Sequence, residues 1–127
     1  MDTVIATLTP PGKAAIATLA VRGPQAWAIT REVFQPHHGS LPDVPTMGRT
    51  RFGKLGGDDV ILAIKDGLPT PALEIHCHGG IEVVRMIEEL FTQRGFQRVS
   101  WQAFVGESAR LQDLLAQAHA TMYDPHY

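Results

Sequence analysis

Apolar and polar residues alternate along several short stretches of this chain, a pattern typical of half-buried β-strands. Residues 2–9 are rich in β-branched side chains and run into Pro10-Pro11-Gly12, so they predict a strand followed by a turn. Residues 14–22 predict a second strand that ends at Gly23. The N-terminal part of the chain is therefore expected to contribute two strands.

A hairpin is predicted further along, in residues 48–67, because two strand-like runs flank Gly56-Gly57-Asp58. The stretch Pro71 to Gly80, PALEIHCHGG, predicts another strand that ends in two glycines. A short strand is expected over 96–101.

Three segments space their apolar residues as a helix does, namely 23–34, 79–95 and about 107–122. Their apolar faces consist of Trp27, Thr30, Val33 and Phe34 in the first, Ile81, Val84, Ile87, Leu90 and Phe91 in the second, and Leu111, Leu114, Leu115, Ala118 and Met122 in the third. The order ββαβββαβα mixes hairpins with helices. It predicts an α+β fold with three helices and a mixed sheet of about five or six strands.

Composition narrows the classes of protein that fit. The 127 residues are 44% hydrophobic and 19% charged, which suits one globular domain. No apolar run approaches the length of a membrane span, and the first residues lack the pattern of a signal peptide, so a cytoplasmic location is expected. With Cys77 as its only cysteine, the chain can form no intrachain disulfide.

The charge pattern gives little sign of nucleic-acid binding. The net charge is −2, which does not indicate a surface that holds a duplex by charge alone. A small basic group, Arg49, Arg51 and Lys54, is explained by a solvated edge strand. Neither a GxxxxGK[ST] phosphate loop nor a GxGxxG fingerprint occurs, so nucleotide hydrolysis is not expected within this chain.

The predicted strand 71–80 carries the candidate chemistry. Residues two apart in a strand share a face, so Glu74, His76 and His78 line one side. Three interpretations stay open: a metal site on the two histidines and the glutamate, a pocket for an organic anion or polar heterocycle, or a half-buried strand that faces solvent or a partner subunit. In the second, Gly79 and Gly80 would let a ligand approach the backbone at a helix start.

Other chemically interesting residues have plainer explanations. Cys77 falls on the apolar side of the strand, where a thiol is inert. The His37-His38 pair could hold a metal, but adjacent histidines in a polar loop more often face water. No hydrolase signature such as GxSxG is present, so no catalytic residue is predicted.

Two motifs together resemble the N-terminal domain of the tRNA-modification GTPases of the TrmE family, also called MnmE. That family opens with Asp-Thr and continues to Thr-Pro-Pro-Gly, as Asp2-Thr3 and Thr9-Pro10-Pro11-Gly12 do here. It later carries Glu-(Ile/Leu)-x-x-His-Gly-Gly before a helix, which Glu74, Ile75, His78, Gly79 and Gly80 match. The likeness runs over about the first hundred residues.

The resemblance implies an α+β domain like the folate-binding domain of aminomethyltransferases, one that forms a homodimer and binds a reduced folate (5-formyl- or methylene-tetrahydrofolate) as a one-carbon donor. It implies residues 1–106 as this domain and 107–127 as a C-terminal helix and tail, a candidate start of a following helical region. The full-length proteins of the family add a GTPase domain and, with a flavin-dependent partner protein, modify the wobble uridine of tRNA. This domain would not be catalytic alone, and no metal is expected.

The chain departs from the family pattern at places where folate contacts are expected. The family's second-strand arginine falls on Ala20, with Arg22 two residues on and on the same face of a strand. The acidic residues that usually precede Leu73 are absent, and residues 101–106 replace a Pro-Gly-Glu-Phe segment. The folate-binding set that the resemblance implies is therefore Arg22, Glu74, His76, His78, Gly79 and Gly80. The alternative is a dimerisation or interaction module that has lost the folate.

Overall fold

In a computed structural model of the chain, residues 2–9 and 15–122 are described. The turn expected at Pro10-Pro11-Gly12 and the tail 123–127 lie outside the described residues. The strands are β1 (Val4–Thr7), β2 (Ile16–Arg22), β3 (Phe34–Pro36), β4 (Thr50–Leu55), β5 (Asp58–Asp66), β6 (Ala72–His78) and β7 (Gln97–Arg98). The helices are α1 (Ala26–Val33), α2 (Ile81–Thr92) and α3 (Trp101–Met122).

The strands form one mixed sheet in the order β3-β4-β5-β6-β2-β1-β7. Every neighbouring pair is antiparallel except β1 and β7, which run parallel. The predicted α+β class with three helices is thus confirmed. The described sheet has seven strands, more than the five or six that were expected.

The additional strand is β3. It was not predicted because Phe34 continues the helical spacing of apolar residues in α1. Phe34 was expected to end the first helix, but its backbone is extended (φ −86°, ψ 130°) and it pairs with Leu55 of β4. Pro36 lies two residues on, and a proline disfavours helical backbone at the residue before it. β4 therefore lies between β3 and β5, and the expectation of a solvated edge strand around Arg51 was wrong.

The third helix also begins earlier than expected. α3 starts at Trp101 rather than near 107, and the strand expected over 96–101 shrinks to Gln97–Arg98. The hydroxyl of Ser100 accepts a hydrogen bond from the backbone N–H of Ala103 at 3.1 Å, so Ser100 caps the helix. α3 runs without a break through the domain boundary expected at 106–107, and that boundary stays a prediction.

One face of the sheet carries the main core, covered by α1 and α2. Its members are buried and apolar, and they include Ile5, Leu19, Val21, Leu62, Leu73, Ile75, Val84, Ile87 and Phe91. The predicted apolar face of α2 is largely confirmed, but Ile81 at its first position is 44% exposed. A first helical residue lies at the margin of the sheet, where little chain is left to cover it.

The opposite face of the sheet is covered at one end only. Phe104 of α3 packs there on Val4, Ala6 and Ala20. Beyond this contact α3 leaves the sheet: Leu114, expected on a buried stripe, is 52% exposed, and the side chains of Leu115, Ala118 and Met122 lie outside the described ones. The uncovered part of this second face, which we call the open face, includes Ile16, Thr18, Phe52, Ile61, Glu74, His76 and His78.

Candidate functional site

Strand β6 places the candidate residues at the centre of the sheet, between β5 and β2. Leu73, Ile75 and Cys77 are buried, whereas Glu74 and His76 are half-buried on the open face. The alternation inferred from the sequence is therefore observed. The pairing of β6 with β2 and β5 determines which residues lie next to Glu74 and His76.

His76 is held between a hydroxyl and a carboxylate. Its Nδ1 lies 3.0 Å from Oγ1 of Thr18, its partner on β2, and its Nε2 lies 3.6 Å from Oε1 of Glu74. Two contacts on opposite ring nitrogens fix the orientation of the imidazole. The pair with Glu74 is an ion pair only when His76 is protonated. The three side chains form a cluster, Thr18–His76–Glu74, with polar atoms at the surface.

Sequence reasoning missed Thr18 because its role depends on strand register. Thr18 looked like one β-branched residue of an ordinary strand, and only the pairing of β2 with β6 brings it to His76. Its backbone N–H also donates to the hydroxyl of Thr9 at 3.0 Å. Thr9, the residue before the Pro10-Pro11-Gly12 motif, therefore lies close to the cluster.

The exposed His78 ends β6 opposite Ile16, and no hydrogen bond or ion pair joins its imidazole to another described residue. It is two residues from His76 along the strand and shares its face. Gly79 donates its N–H to the carbonyl of Ala15 at 2.9 Å, and Gly80 precedes the first turn of α2. The N–H groups of that first turn lack partners within the helix, as at any helix start. They lie next to the end of β6.

Arg22 shares the face of Glu74 but is buried under α3, with 5% of the residue exposed. Its Nη1 donates to the carbonyl of Phe104 at 3.1 Å and to the hydroxyl of Ser108, and its Nη2 lies 3.7 Å from Glu107. The guanidinium also stacks 4.2 Å from the centroid of the Phe104 ring. Burial lowers the pKa of Arg22, and the charge of Glu107 opposes that shift.

The two residues that flank Glu74 on the neighbouring strands are small. Its partners in the register are Ala20 on β2 and Ala63 on β5. Of the six residues implied for folate binding, the structure brings Glu74 and His76 into contact. His78, Gly79 and Gly80 lie at the end of the same strand, whereas Arg22 binds residues of α3.

Cys77 has the properties of a core residue. It is 2% exposed on the face opposite to the cluster, and burial, with a smaller contribution from Asp58, raises the pKa of its thiol to about 11. A thiol that keeps its proton at neutral pH is a poor nucleophile.

Two hollows in the described part of the chain lie away from the cluster. A cavity of about 490 Å³ lies between α1 and β3, lined in part by Arg31, Phe34 and Leu41. A second, of about 330 Å³, is lined by His37, His38, Thr50, Arg51 and Phe52. The Thr18–His76–Glu74 cluster is instead a shallow polar spot on the open face.

His37 of the His37-His38 pair lies 3.2 Å from Asp59 through its Nε2. Within residues 2–9 and 15–122, no group of three or more histidine, cysteine, aspartate or glutamate side chains is arranged to hold a metal ion. In the same residues, no helix combines the length and the apolar character that a membrane span requires.

Comparison with known proteins shows the family of this chain. Residues 3–110 match the family model described as GTP-binding protein TrmE N-terminus. The chain is 32% identical over 99 residues to a tRNA modification GTPase MnmE of Thermotoga maritima, an alignment that covers 75% of this chain and 22% of that protein. It is 33% identical over 105 residues to the MnmE of Enterococcus faecalis, covering 74% and 22%.

A longer alignment reaches the C-terminal helix. The MnmE of Jannaschia sp. is 30% identical over 126 residues, which cover 91% of this chain and 28% of that protein. The chain thus spans between about a fifth and somewhat more than a quarter of the length of these relatives.

Proposed function

The chain belongs to the TrmE N-terminal family, and from that premise we propose that it binds a reduced folate on its open face and associates as a homodimer. The observation that carries the proposal is the Thr18–His76–Glu74 cluster, an ordered set of polar atoms on an otherwise largely apolar surface. Ordering the imidazole before a ligand arrives lowers the entropy cost of binding.

The chemistry of a reduced pterin matches this cluster. A pterin presents adjacent N–H donors on one edge, and the carboxylate of Glu74 accepts two parallel hydrogen bonds. The imidazole of His76 adds a further directional partner. The tail of a folate is a glutamate, whose carboxylates suit the N–H groups at the start of α2 and the side chain of His78.

Arg22 supports this site from the side, where α3 lies. Because α3 takes up its guanidinium, we assign Arg22 the role of holding α3 beside the cluster rather than of touching the folate. Phe104 of α3 covers Ala20 on one side of Glu74, whereas Ala63 on the other side is only half-buried, so a flat ring has room to lie against the sheet over β5.

A second copy of the chain supplies what the open face lacks. A shallow spot buries one side of a heterocycle only, whereas ligand sites usually bury most of their ligand. Ile16 is 55% exposed and Ile61 is 37% exposed on either side of the cluster. A second protomer seated over β2 and β6 would cover this apolar surface and close the site from above.

The names of the relatives suggest the function of the full-length protein. We propose that the chain serves a cytoplasmic tRNA-modification GTPase in which the folate supplies a one-carbon unit for the wobble uridine of tRNA, together with a flavin-dependent partner protein. The GTPase motifs would be outside these 127 residues, and the chain by itself would not be catalytic.

Calorimetric titration with 5-formyltetrahydrofolate tests the cofactor assignment. Replacing Glu74 with alanine removes a charge-assisted hydrogen bond of about 1.5–3 kcal/mol, so the affinity should fall roughly ten- to hundred-fold. Glu32→Ala, at an exposed glutamate of α1 on the other face of the sheet, is the matched control and should bind as the unchanged chain does. Absence of binding at about 1 mM ligand would exclude the cofactor assignment.

The alternative is a dimerisation or interaction module without folate. It is favoured by Ala20, which faces Glu74 where the family has an arginine, and by the engagement of Arg22 with α3. Sedimentation velocity separates the two possibilities. A dimer that forms without ligand and is unaffected by folate supports the module alone, while a dimer strengthened by folate supports a site closed by two copies.

A further inference from the structure

The hydroxyl of Thr18 has one hydrogen-bond partner among the described residues, the Nδ1 of His76 at 3.0 Å. The backbone of Thr18 is held on both sides, since β2 lies between β1 and β6 in the sheet. Its carbonyl accepts a hydrogen bond from the N–H of Leu8 at 2.8 Å, and its N–H donates to the hydroxyl of Thr9 at 3.0 Å. A β-branched side chain on a paired strand has few rotamers, so Thr18 presents its hydroxyl from a rigid position.

The other ring nitrogen of His76 faces a group that accepts hydrogen bonds but has none to donate. Its Nε2 lies 3.6 Å from Oε1 of Glu74. A neutral imidazole is stable beside an ionised carboxylate when its proton is on Nε2, because a bare lone pair there would point at a negative oxygen. The Nδ1 is then the acceptor, and the hydroxyl of Thr18 rotates to donate to it.

We propose that Thr18 is a positioning residue that orients neutral His76 with its Nε2–H outward, so that the open face offers a hydrogen-bond donor beside the carboxylate of Glu74. This N–H is available to a ligand, since 3.6 Å is longer than a hydrogen bond. A ligand can reach both groups, because 32% of the His76 side chain and 28% of the Glu74 side chain are exposed.

This arrangement selects one pattern of groups on a ligand. Two acceptor oxygens beside a donor N–H match a ring edge on which two neighbouring N–H donors are followed by a carbonyl. A pterin has this edge, and so does guanine. The choice of the pterin rests on the proposed function, and the ring carbonyl is the group that we assign to His76. With the proton on Nδ1, the Nε2 lone pair would face the carbonyl oxygen and no hydrogen bond would form.

NMR of the unliganded chain measures the tautomer of His76 directly. Long-range nitrogen–proton correlations of the imidazoles are recorded at a pH of about 8.5, well above the ordinary pKa of histidine. The signal missing from His76→Ala identifies this residue among the six histidines. We expect the Nε2–H tautomer with a hydrogen-bonded Nδ1. The Nδ1–H tautomer as the main form would overturn the proposal.

Thr18→Val tests the positioning role, because valine keeps the branched shape and removes the hydroxyl. The Nδ1 signal of His76 should move toward the position of an unbonded nitrogen, and Thr18→Ser, which keeps the hydroxyl, should restore it. Thr7→Val is the matched control: its hydroxyl is on a neighbouring strand and donates to Glu88 of α2 at 3.3 Å, on the other face of the sheet. An unchanged Nδ1 signal in Thr18→Val, or an equal change in Thr7→Val, would overturn the role of Thr18.

Calorimetric titration with 5-formyltetrahydrofolate carries the test to the ligand. Thr18→Val should weaken binding by roughly two- to tenfold, the usual value of one hydrogen bond between neutral groups, and Thr18→Ser should recover most of it. Thr7→Val should bind as the unchanged chain does. Guanosine monophosphate has the same ring edge without the glutamate tail and should bind at least about tenfold more weakly. Equal affinity for the two compounds would overturn the choice of the pterin.

Failure of this inference and failure of the proposed function give different results. Folate that binds equally well to the unchanged chain and to Thr18→Val would refute the role of Thr18 and leave the folate site in place. Absence of binding at about 1 mM would refute the folate site and the ligand chosen here, while the imidazole signals of the unliganded chain still decide whether Thr18 orients His76. Amide spectra of each variant check that β2 and β6 stay paired.

Discussion

Thr30 is the residue whose environment fits its chemistry least. It lies in α1 with its side chain fully buried, and its hydroxyl has no hydrogen-bond partner among the described residues. An unpaired buried hydroxyl loses its bonds to water and gains nothing in return. The position suits an apolar side chain of the same shape.

Thr30→Val should therefore raise the free energy of unfolding by about 1 kcal/mol, since valine keeps the branched shape and removes the unpaired group. Urea unfolding of both chains measures the difference. Thr92→Val is the control, because the Thr92 hydroxyl is at the end of α2 and donates to Glu89 at 3.4 Å. Destabilisation by Thr30→Val would show that the hydroxyl has a partner.

Cys77 makes stability depend on pH in alkaline solution. The thiol ionises near pH 9.0 when unfolded, but burial raises its pKa to about 11 in the folded chain. Between these values the native state holds the proton that the unfolded state has lost. The stabilisation due to the neutral thiol is therefore complete below the unfolded pKa and is lost as the pH rises through the folded one.

The advantage of the unchanged chain over Cys77→Ala should shrink by roughly 1–3 kcal/mol between pH 8.5 and 11. Comparing the two chains at each pH by urea unfolding cancels the titration of the other groups. A constant difference across this range would mean that Cys77 is accessible to water in the folded state.

At the scale of elements, local signals predicted what depends on local chemistry. The β4–β5 hairpin was predicted from Gly56-Gly57, and both glycines have positive φ (58° and 91°), as a tight two-residue hairpin turn requires. Alternation along β6 predicted which side chains face outward. These features need no knowledge of distant residues.

Features that depend on distant residues were not predicted. Phe34 extends the apolar spacing of α1, and only pairing with Leu55 makes it part of a strand. The helix start at Trp101 did have a local signal, the cap at Ser100, which strand-like neighbours obscured. Thr18 and the partners of Arg22 come from strand register and from the position of α3, so the candidate site was predicted only in part.

Arg22 is the main polar contact between α3 and the sheet. Arg22→Gln removes a buried guanidinium that binds Phe104, Ser108 and Glu107. The variant should lose about 2 kcal/mol of stability. Its amide protons in residues 101–110 should exchange faster than in the unchanged chain, while exchange in α2 should change less.

Hydrogen exchange measured by mass spectrometry resolves that difference along the chain. Arg98→Gln is the matched control, because Arg98 pairs with Glu88 at 3.3 Å with 55% of its side chain exposed, and exposed pairs contribute little. Unchanged protection of residues 101–110 in Arg22→Gln would mean that apolar packing of Phe104 alone holds α3.

At the scale of the whole molecule, the fold divides the sheet into a sealed face and a face only partly covered. α1 and α2 cover the first, while α3 covers one end of the second and leaves Thr18, His76 and Glu74 open beside exposed isoleucines. The match to the TrmE N-terminal family shows which family the chain belongs to. The folate and the second protomer are the ligands that we propose for it.

The most direct test is a titration of the isotopically labelled chain with 5-formyltetrahydrofolate, followed by the NMR signals of its backbone amides and histidine rings. We predict that the largest shifts fall on Thr18, Glu74, His76 and the Gly79–Gly80 turn, and that they diminish in Glu74→Ala. Shifts confined to α1 or to α3, or no shifts at about 1 mM folate, would contradict a folate site on the open face.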